Sequence, residues 1–218
     1  PTNRAVTRRF TYDHNGRLVE TWHKIDAFPD VRLIFNKYNE LGQLVDKKLH
    51  STEPLAANAK QSVDYRYNIR GWLTSLNNST LTIESSTNDE AGDYFGMNLG
   101  YHADIGVTNS GLFNGNITGV KWGNLAGSSV GEKAYVYSYD AMSRLTGAVF
   151  KEKGLPGWVT PANNANVETG ITYDLNGNIQ GLTRNDKRPS NAGTMDILVY
   201  NYGAPGATSN RLLKIADS

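Results

Sequence analysis

The sequence predicts an all-β protein made of serial β-hairpins, and three observations lead to this prediction. The 218 residues include 22 glycines and 12 tyrosines while hydrophobic residues make up 39%, a balance that favours many short strands and turns. Polar and aromatic residues alternate over 63–67 and 135–139, as in a half-buried strand. One short phrase also recurs along the chain, which indicates a repeat architecture.

The recurring phrase has an aromatic strand end, a turn opened by Asp or Asn, and a closing residue three positions later. The opening side chain accepts hydrogen bonds from backbone groups two residues on, and Gly at the closing position tolerates positive φ. Together they predict a type I turn closed by a G1 bulge, after which a second strand returns. The five complete copies are Tyr12-Asp13 with Gly16, Tyr38-Asn39 with Gly42, Tyr67-Asn68 with Gly71, Tyr139-Asp140 with Ser143, and Tyr173-Asp174 with Gly177.

Two further copies are degraded, which brings the predicted hairpin units to seven. One keeps only the second half of the phrase around Gly115, and in the other an insertion separates Tyr202 from the turn position at Asn210. Asn enters the left-handed region readily, whereas Ser does so at some cost. We therefore expect Ser143 to occupy a slightly different turn from its Gly counterparts. The tyrosines that precede the turns are expected to be largely buried on one side of the sheet.

With these phrases the chain resembles the RHS/YD-repeat proteins, named for the Tyr-Asp pair that opens each turn. The segments 62–73, 94–97 and 114–117 are similar to a bacterial branch of that family. The resemblance implies that the hairpins join side by side into a long curved or spiralling sheet, a segment of a hollow β-shell. It also implies a structural role in a large secreted or cell-surface protein, whose shell encloses or presents a C-terminal effector, often a toxin.

The same resemblance implies the partners of the chain. These are flanking RHS repeats of the same polypeptide, an enclosed C-terminal effector, and components of a secretion machinery. The aspartyl self-cleavage segment of the family is expected outside residues 1–218. Because stacked units bury their faces and edges against one another, the chain is expected to depend on neighbouring hairpins and to associate when isolated.

We expect residues 1–218 to form one hairpin array without a second domain. Stretches rich in Gly, Ser, Asn, Ala or Pro predict loops at the rims of the sheet. These loops are expected at 84–94, 123–131, 154–170, 186–194 and 203–209. The acidic stretch 84–90 is expected to be mobile.

The charge pattern and composition exclude several classes of protein. Lys and Arg number 22 against 21 Asp and Glu, and the basic residues are scattered, so no nucleic-acid partner is predicted. There are no cysteines, which excludes disulfides, thiolate metal sites and cysteine nucleophiles. No run approaches the ~20 apolar residues of a membrane helix, so no membrane insertion is predicted.

No catalytic or metal-binding constellation is predicted, and we expect neither a cofactor nor enzyme activity. The four histidines show no HExxH or paired spacing. The aspartates that open turns share one backbone-capping explanation, which favours a structural role over acid–base catalysis. The segment beginning at Asp174 resembles the start of a calcium loop, but Ile179 and Asn185 stand where Gly and Glu are needed.

The four tryptophans support an alternative prediction, a cell-surface adhesion or carbohydrate-binding module in which indole rings stack on sugars. Trp72 and Trp122 fall on predicted returning strands, where packing in the core is the simpler interpretation. Trp158 lies in a predicted insertion and is the candidate for an exposed contact. The structural wall, the adhesion module and a hydrolytic enzyme are thus the three competing classes, and the repeat favours the wall.

Overall fold

The computed structural model describes residues 3–53, 56–84, 88–107, 111–126, 129–186, 193–203 and 209–217. Within these ranges the chain forms 15 strands, and a 3-10 turn lies at Ala162–Asn164. The prediction of an all-β fold of antiparallel hairpins is confirmed. In the same ranges no helix has the length and apolar character needed to cross a membrane.

The strands follow one another with short connections in most of the chain. In order they are Val6–Tyr12 (β1), Leu18–Ile25 (β2), Val31–Tyr38 (β3), Leu44–Ser51 (β4), Tyr65–Tyr67 (β5), Leu73–Leu76 (β6), Phe95–Gly100 (β7), Gly119–Ala126 (β8), Ser129–Tyr139 (β9), Leu145–Lys153 (β10), Trp158–Val159 (β11), Glu168–Tyr173 (β12), Ile179–Asp186 (β13), Gly193–Tyr202 (β14) and Leu212–Asp217 (β15).

The chain divides into two compact units. Unit 1 contains Pro1–Asn98 and Trp122–Val130, and unit 2 contains Leu99–Lys121 and Gly131–Ser218. Strands β7, β8 and β9 therefore contribute residues to both units. The expectation of one undivided array stays a prediction.

Unit 1 is built from consecutive antiparallel pairs. Its first four strands form a sheet in the order β1-β2-β3-β4. The segment after β4 returns to that strand through bridges between Asp46 and Asp64 and between Leu49 and Gln61. Strand β5 pairs with β6, and β6 pairs with the first part of β7.

Unit 2 repeats the same arrangement of neighbouring strands. Its order is β9-β10-β12-β13-β14-β15, and the short strand β11 pairs with the end of β10. Every pairing in this series is antiparallel.

Five reversals lie at the segments that the recurring phrase marks. In each, the closing residue donates its N–H to the carbonyl of the opening residue, as Gly16 does to Asp13 at 3.0 Å. The backbone N–H of the opening residue donates to the carbonyl of the residue that follows the closing one, as Asp13 does to Arg17 at 3.0 Å. The closing residues all have positive φ, from 63° at Ser143 to 87° at Gly177. This is the type I turn with a G1 bulge, and Ser143 adopts the same turn as the glycines, contrary to expectation.

One loop prediction needs correction. Residues 123–126 belong to β8 and 129–131 to β9, so the glycine-rich stretch 123–131 is mostly strand. The described part of the loop predicted at 84–94 is irregular, and it contains two buried side chains, Asn88 at 1% and Asp93 at 3% exposed. Parts of the predicted loops, at 85–87, 127–128, 187–192 and 204–208, lie outside the described residues.

The two units bury different kinds of side chain. Unit 2 has an apolar core that includes Ala134, Ala148, Phe150, Val167 and Ile171. The largest fully buried side chains lie in unit 1 and are polar, namely Asn88, Asp64, Ser51 and Ser79. Buried polar groups are stable only when they are hydrogen-bonded. Unit 1 is therefore held by a hydrogen-bond network to a larger extent than unit 2.

The network of unit 1 is centred on the asparagine-rich segment 77–79, which follows β6. The Asn77 side chain accepts from the N–H of Asp64 at 2.7 Å and donates to the carbonyl of Phe95 at 2.9 Å. The N–H of Ser79 donates to the Asn98 side chain at 2.9 Å. These side chains replace the backbone partners that a regular strand would supply.

Candidate functional site

The side chain that opens each turn organises the turn by itself. Oδ1 of Asp13 accepts from the N–H groups of Asn15 and Arg17, both at 2.9 Å, and Oδ2 accepts from Arg17 Nε at 2.6 Å. Asp140 makes the equivalent contacts, with Arg144 Nε at 2.7 Å from its Oδ2. The backbone hydrogen bond from the residue four positions later is the largest cause that lowers the pKa of both carboxyls.

The other three complete turns use the same contact between the first side chain and the N–H four residues later. These bonds join Asn39 to Gln43 at 2.9 Å, Asn68 to Trp72 at 3.1 Å, and Asp174 to Asn178 at 2.8 Å. The side-chain oxygen of the recurring Asp or Asn thus accepts hydrogen bonds from N–H groups of its own turn.

The tyrosine before the turn connects its hairpin to the preceding one at four of the five complete turns. Its hydroxyl donates to a main-chain carbonyl at, or just before, the start of the returning strand of the preceding unit. The four bonds run from Tyr38 to Leu18 at 2.9 Å, from Tyr67 to Leu44 at 3.0 Å, from Tyr139 to Ile117 at 2.7 Å, and from Tyr173 to Leu145 at 2.6 Å. A repeated side-chain contact therefore accompanies the backbone pairing of hairpins.

An arginine of the preceding hairpin covers the same tyrosine in two of these contacts. The guanidinium carbon of Arg17 lies 4.7 Å from the ring centroid of Tyr38, and that of Arg144 lies 4.6 Å from the ring of Tyr173. Each arginine is held by the aspartate that opens its own turn. We call this arrangement the hairpin clasp: the Asp–Arg pair and the next carbonyl of one hairpin, with the tyrosine of the following hairpin.

The expected burial of the tyrosines is contradicted at Tyr12 and met in part by the other five. Tyr12 is 61% exposed, and the other five, Tyr38, Tyr67, Tyr139, Tyr173 and Tyr202, are half-buried. Tyr12 lies on the edge strand β1, which among the described strands pairs with β2 alone.

In the two units whose closing position holds a residue other than Gly, the side chain at that position forms hydrogen bonds. Asn114 Nδ2 donates to Oγ of Ser143 at 2.9 Å. Oδ1 of Asn210 accepts from the Nδ2 groups of Asn176 and Asn178, at 3.2 and 2.9 Å. In both places the side chain bonds to a residue of the preceding unit, but only Ser143 closes its turn with positive φ, and Asn210 does not.

The two degraded units depart from the common turn. Gly115 has φ of 98° and lies within the long connection between β7 and β8, so it does not close a tight hairpin. After Tyr202, the left-handed residue is Gly203 with φ of 64°, and its N–H donates to the carbonyl of Arg211 at 3.0 Å. That bond is equivalent to the one between the N–H of Asp13 and the carbonyl of Arg17.

Sequence reasoning did not identify Arg17 and Arg144 as contact residues. A signal was present within the repeat, because the residue four positions after the opening side chain is polar at four of the five complete turns. These residues are Arg17, Gln43, Arg144 and Asn178, and each forms a side-chain hydrogen bond with the opening residue. Trp72 is the exception.

Replacing Tyr173 by Phe tests the hydroxyl contact of the clasp. The change leaves the partly buried carbonyl of Leu145 without the hydroxyl donor, so we expect the free energy of unfolding to fall by about 1 kcal/mol. Tyr12→Phe is the matched control, because the Tyr12 side chain is largely exposed and should tolerate the change. Equal effects of the two substitutions in denaturant unfolding would show that the hydroxyl bond contributes nothing.

Trp158, the candidate for an exposed contact, is half-buried in strand β11. The ammonium of Lys153 lies 5.1 Å from the centroid of its ring. Trp22 is covered in a similar way, by Arg9 at 5.0 Å and Arg32 at 4.4 Å. Cations on these rings occupy faces that a stacked sugar would need.

Three carboxylates meet in unit 1. Oxygen atoms of Asp64, Asp89 and Glu90 lie within 4.8 Å of one another. The ammonium of Lys48 lies 2.5 Å from Oε1 of Glu90, a member of the cluster, and 3.9 Å from Oδ2 of the neighbouring Asp46. A cation of the protein itself therefore contacts the cluster. A carboxylate cluster that contains its own ammonium group does not require a metal ion.

The carboxylate cluster has two groups that hold protons more tightly than usual. Burial raises the pKa of Asp64 to about 6. Burial and the hydrogen bond with Asp89 raise the pKa of Glu90 to about 7, against the attraction of Lys48. Both carboxyls bind protons more tightly in the folded chain than in the unfolded chain, where Asp and Glu titrate near ~4.

This difference predicts the pH dependence of stability. The contribution of Asp64 and Glu90 is fully present below about pH 4 and is lost as the pH rises through about 6 and 7. We expect the thermal unfolding midpoint to decline between pH 5 and pH 8 and Glu90→Gln to flatten that decline. Glu40→Gln, an exposed change in a turn, is the control. An unaltered slope in the Glu90 variant would contradict the assignment.

No protein-family model and no curated protein matches this chain. Solved structures with some likeness include the Tc holotoxin pore of Photorhabdus luminescens, with 13% identity, 92% of this chain and 12% of that chain covered, and a TM-score of 0.34. A TcdB2-TccC3-Cdc42 structure has 13% sequence identity, with 97% of this chain and 12% of that chain covered, and a TM-score of 0.33. The structure of TcdB2-TccC3 without Cdc42 has 13% sequence identity, with 97% of this chain and 13% of that chain covered, and a TM-score of 0.34. The chain thus spans about an eighth of these proteins, and the likeness is too low to support an argument about function.

Proposed function

We propose that this chain is a section of a structural wall, an RHS/YD-repeat β-shell, and that it performs no catalysis. The observation that carries the proposal is the hairpin clasp. The same hydroxyl-to-carbonyl contact joins successive hairpins at four places, and two of them also carry the arginine. A chain that repeats one joining contact is suited to building a continuous surface.

The use of the repeated aspartates supports a role without catalysis. Each carboxylate that opens a turn accepts several hydrogen bonds from its own turn, and its pKa is lowered, as for Asp13, Asp140 and Asp174. A general acid or base at neutral pH needs a pKa near the working pH. These groups stay ionised and serve the fold.

In the proposed role, the wall belongs to a large bacterial protein that is secreted or carried on the cell surface. Flanking RHS repeats of the same polypeptide continue the sheet, and the shell encloses or presents a C-terminal effector. Components of a secretion machinery are further partners in this proposal. Nucleic acid, membrane insertion and cofactors have no part in it.

Deletion of one repeat tests whether the hairpins are equivalent wall elements. Removing residues 140–173 joins Tyr139 to Asp174 and replaces one turn and return strand by the next. We expect a shorter all-β protein that unfolds cooperatively, as judged by circular dichroism and denaturant titration. The equally long deletion 150–183, which is out of phase with the repeat, should fail to fold. The wall proposal is wrong if both deletions behave alike.

Protection of the effector tests the enclosing role. In the full polypeptide that carries this wall, a protease should leave the segment enclosed by the repeats intact while it cleaves the same segment expressed alone. Cleavage at equal rates would contradict enclosure without contradicting the wall.

A further inference from the structure

Unit 2 contains a cavity of about 380 Å³ between the connection that precedes β8 and the hairpin formed by β9 and β10. Most of its lining residues carry an amide or a hydroxyl group, among them Asn114, Asn116, Thr118 and Ser138. Tyr139, the tyrosine that precedes the turn of this hairpin, also lines it. A cavity of this size with convergent polar groups is typical of a small-molecule site.

A second cavity, of about 430 Å³, occupies the equivalent place two repeats later in the same unit. It lies between the turn that begins at Asp174 and the end of strand β14. The two linings share the asparagine of the preceding turn and both tyrosines of the following strand. The corresponding residues are Asn114 and Asn176, Tyr137 and Tyr200, and Tyr139 and Tyr202. The cavity is therefore a feature of the repeat and not an accident of one loop.

Both cavities occur where asparagine replaces the arginine of the hairpin clasp. The clasp arginine covers a tyrosine ring at 4.7 Å in one place and at 4.6 Å in another. Asn116 and Asn178 stand at that repeat position before Tyr139 and Tyr202. Among the described residues, no Lys or Arg lies over either of these two rings. The shorter side chain thus leaves the tyrosine without its cation.

Asn116 brings a buried hydrogen-bond donor to the first cavity. Its Nδ2 is shielded from solvent, and no described residue accepts a hydrogen bond from it. A buried amide without a partner is destabilising, and such groups are rare in folded proteins. A ligand that supplies an acceptor in the cavity accounts for this donor.

The charges around the cavities favour a neutral ligand. Neither lining includes a described Lys or Arg, so neither cavity offers a cation to an anionic group. The carboxylate of Asp140 is paired with Arg144 Nε at 2.7 Å, and Oδ2 of Asp174 accepts from Asn178 Nδ2 at 2.8 Å. A cationic group would therefore meet only carboxylates that already have partners.

We propose that the two cavities bind sugar residues of a neutral glycan, with a sugar hydroxyl accepting from Asn116 Nδ2 and the sugar rings packing beside Tyr139 and Tyr202. Hydroxyl groups both donate and accept, which matches a lining of amides and hydroxyls. The tyrosines supply apolar surface together with a polar hydroxyl, as the ring of a sugar does. This binding role goes beyond the wall function and does not depend on it.

NMR titration of the whole chain with maltohexaose, cellohexaose and chitohexaose, each in turn, tests the proposal. We expect at least one of them to shift the side-chain amide signals of Asn114 and Asn176 in a saturable way. Asn116→Arg should abolish the shift of Asn114 and leave that of Asn176, because the added guanidinium covers Tyr139 as in the clasp. Asn178→Arg should have the reverse effect.

Asn116→Ala removes the donor and keeps the space, so it should weaken binding at the first cavity about tenfold. It provides the same test if the arginine variant fails to fold, which the thermal unfolding midpoint reveals. Gln43→Arg is the matched control, because it places the same side chain at the same repeat position in unit 1. It should leave both shifts unchanged.

The proposal is overturned if none of the three glycans shifts either amide, or if Asn116→Arg and Asn116→Ala both bind as the Gln43→Arg control does. It is also overturned if N-acetyl-arginine amide shifts these signals and the glycans do not, since the cavities would then accept an arginine side chain of another polypeptide. None of these results affects the deletion test of the wall function.

Discussion

Gly123→Ala is expected to destabilise the chain by about 3 kcal/mol or to prevent its folding. A Cβ at this position of β8 would lie 2.0 Å from the carbonyl oxygen of Ser79 and 2.8 Å from a methyl carbon of Val130. The carbonyl belongs to the buried segment 77–79, whose side chains are fixed by hydrogen bonds, so it cannot move away cheaply. Denaturant unfolding measures the loss.

Gly131→Ala provides the matched control for this substitution. Gly131 lies a few residues further along the chain, and a Cβ there would meet nothing within 4 Å. Its replacement should leave the free energy of unfolding nearly unchanged. If Gly123→Ala proved as harmless as Gly131→Ala, the close approach of β8 to Ser79 would be wrong.

Arg32→Met is expected to cost about 3 kcal/mol, the second large effect. Arg32 is 5% exposed, and its guanidinium binds Glu20 Oε1 at 3.0 Å and the carbonyl of Glu53 at 2.8 Å. It also lies 4.4 Å from the ring centroid of Trp22. Met replaces most of the volume but leaves Glu20 without its cationic partner.

Arg8→Met is the control, since Arg8 is exposed on the same four-stranded sheet. Its effect on the denaturation midpoint should be small, in line with surface substitutions in general. A second variant, Glu20→Gln combined with Arg32→Met, should recover part of the loss because it removes the unpaired charge. Failure of that recovery would show that the ion pair is not the cause.

The turns were predictable from the sequence because their chemistry is local. Asp or Asn at the first position and a residue that accepts positive φ at the last position specify the reversal within four residues, and Asp13 to Gly16 is a complete example. Ser143 shows the limit of this reasoning. Its conformation is that of Gly, but the reason for Ser is its bond with Asn114, a residue of another unit.

Contacts between residues far apart in the sequence could not be predicted in the same way. The acidic stretch around Asp89 has the composition of a mobile loop, yet Asp64 accepts its N–H at 3.2 Å and Lys48 contacts Glu90 beside it. Composition describes only the average tendency of a segment. Its burial in unit 1 depends on partners that lie 25 residues or more away.

The polar interior of unit 1 was missed for a related reason. Patterns of apolar residues identify apolar cores, as in the strands that contain Ala148 and Phe150, but they carry no signal for a core built from Asn and Ser side chains. The segment 77–79 resembles an ordinary surface turn in sequence. Only the positions of Gly96 and Gly123, which leave room for the carbonyls of Asn78 and Ser79, distinguish it.

The acceptor in the hairpin clasp is a main-chain carbonyl, and this has an evolutionary consequence. A carbonyl is present whatever the side chain, so a hairpin can diverge in sequence and still offer its neighbour a binding partner. The unit around Gly115 has lost its own tyrosine and its tight turn, yet the carbonyl of Ile117 still accepts the hydroxyl of Tyr139. Sequence change in one hairpin therefore does not by itself remove the acceptor that the next hairpin uses.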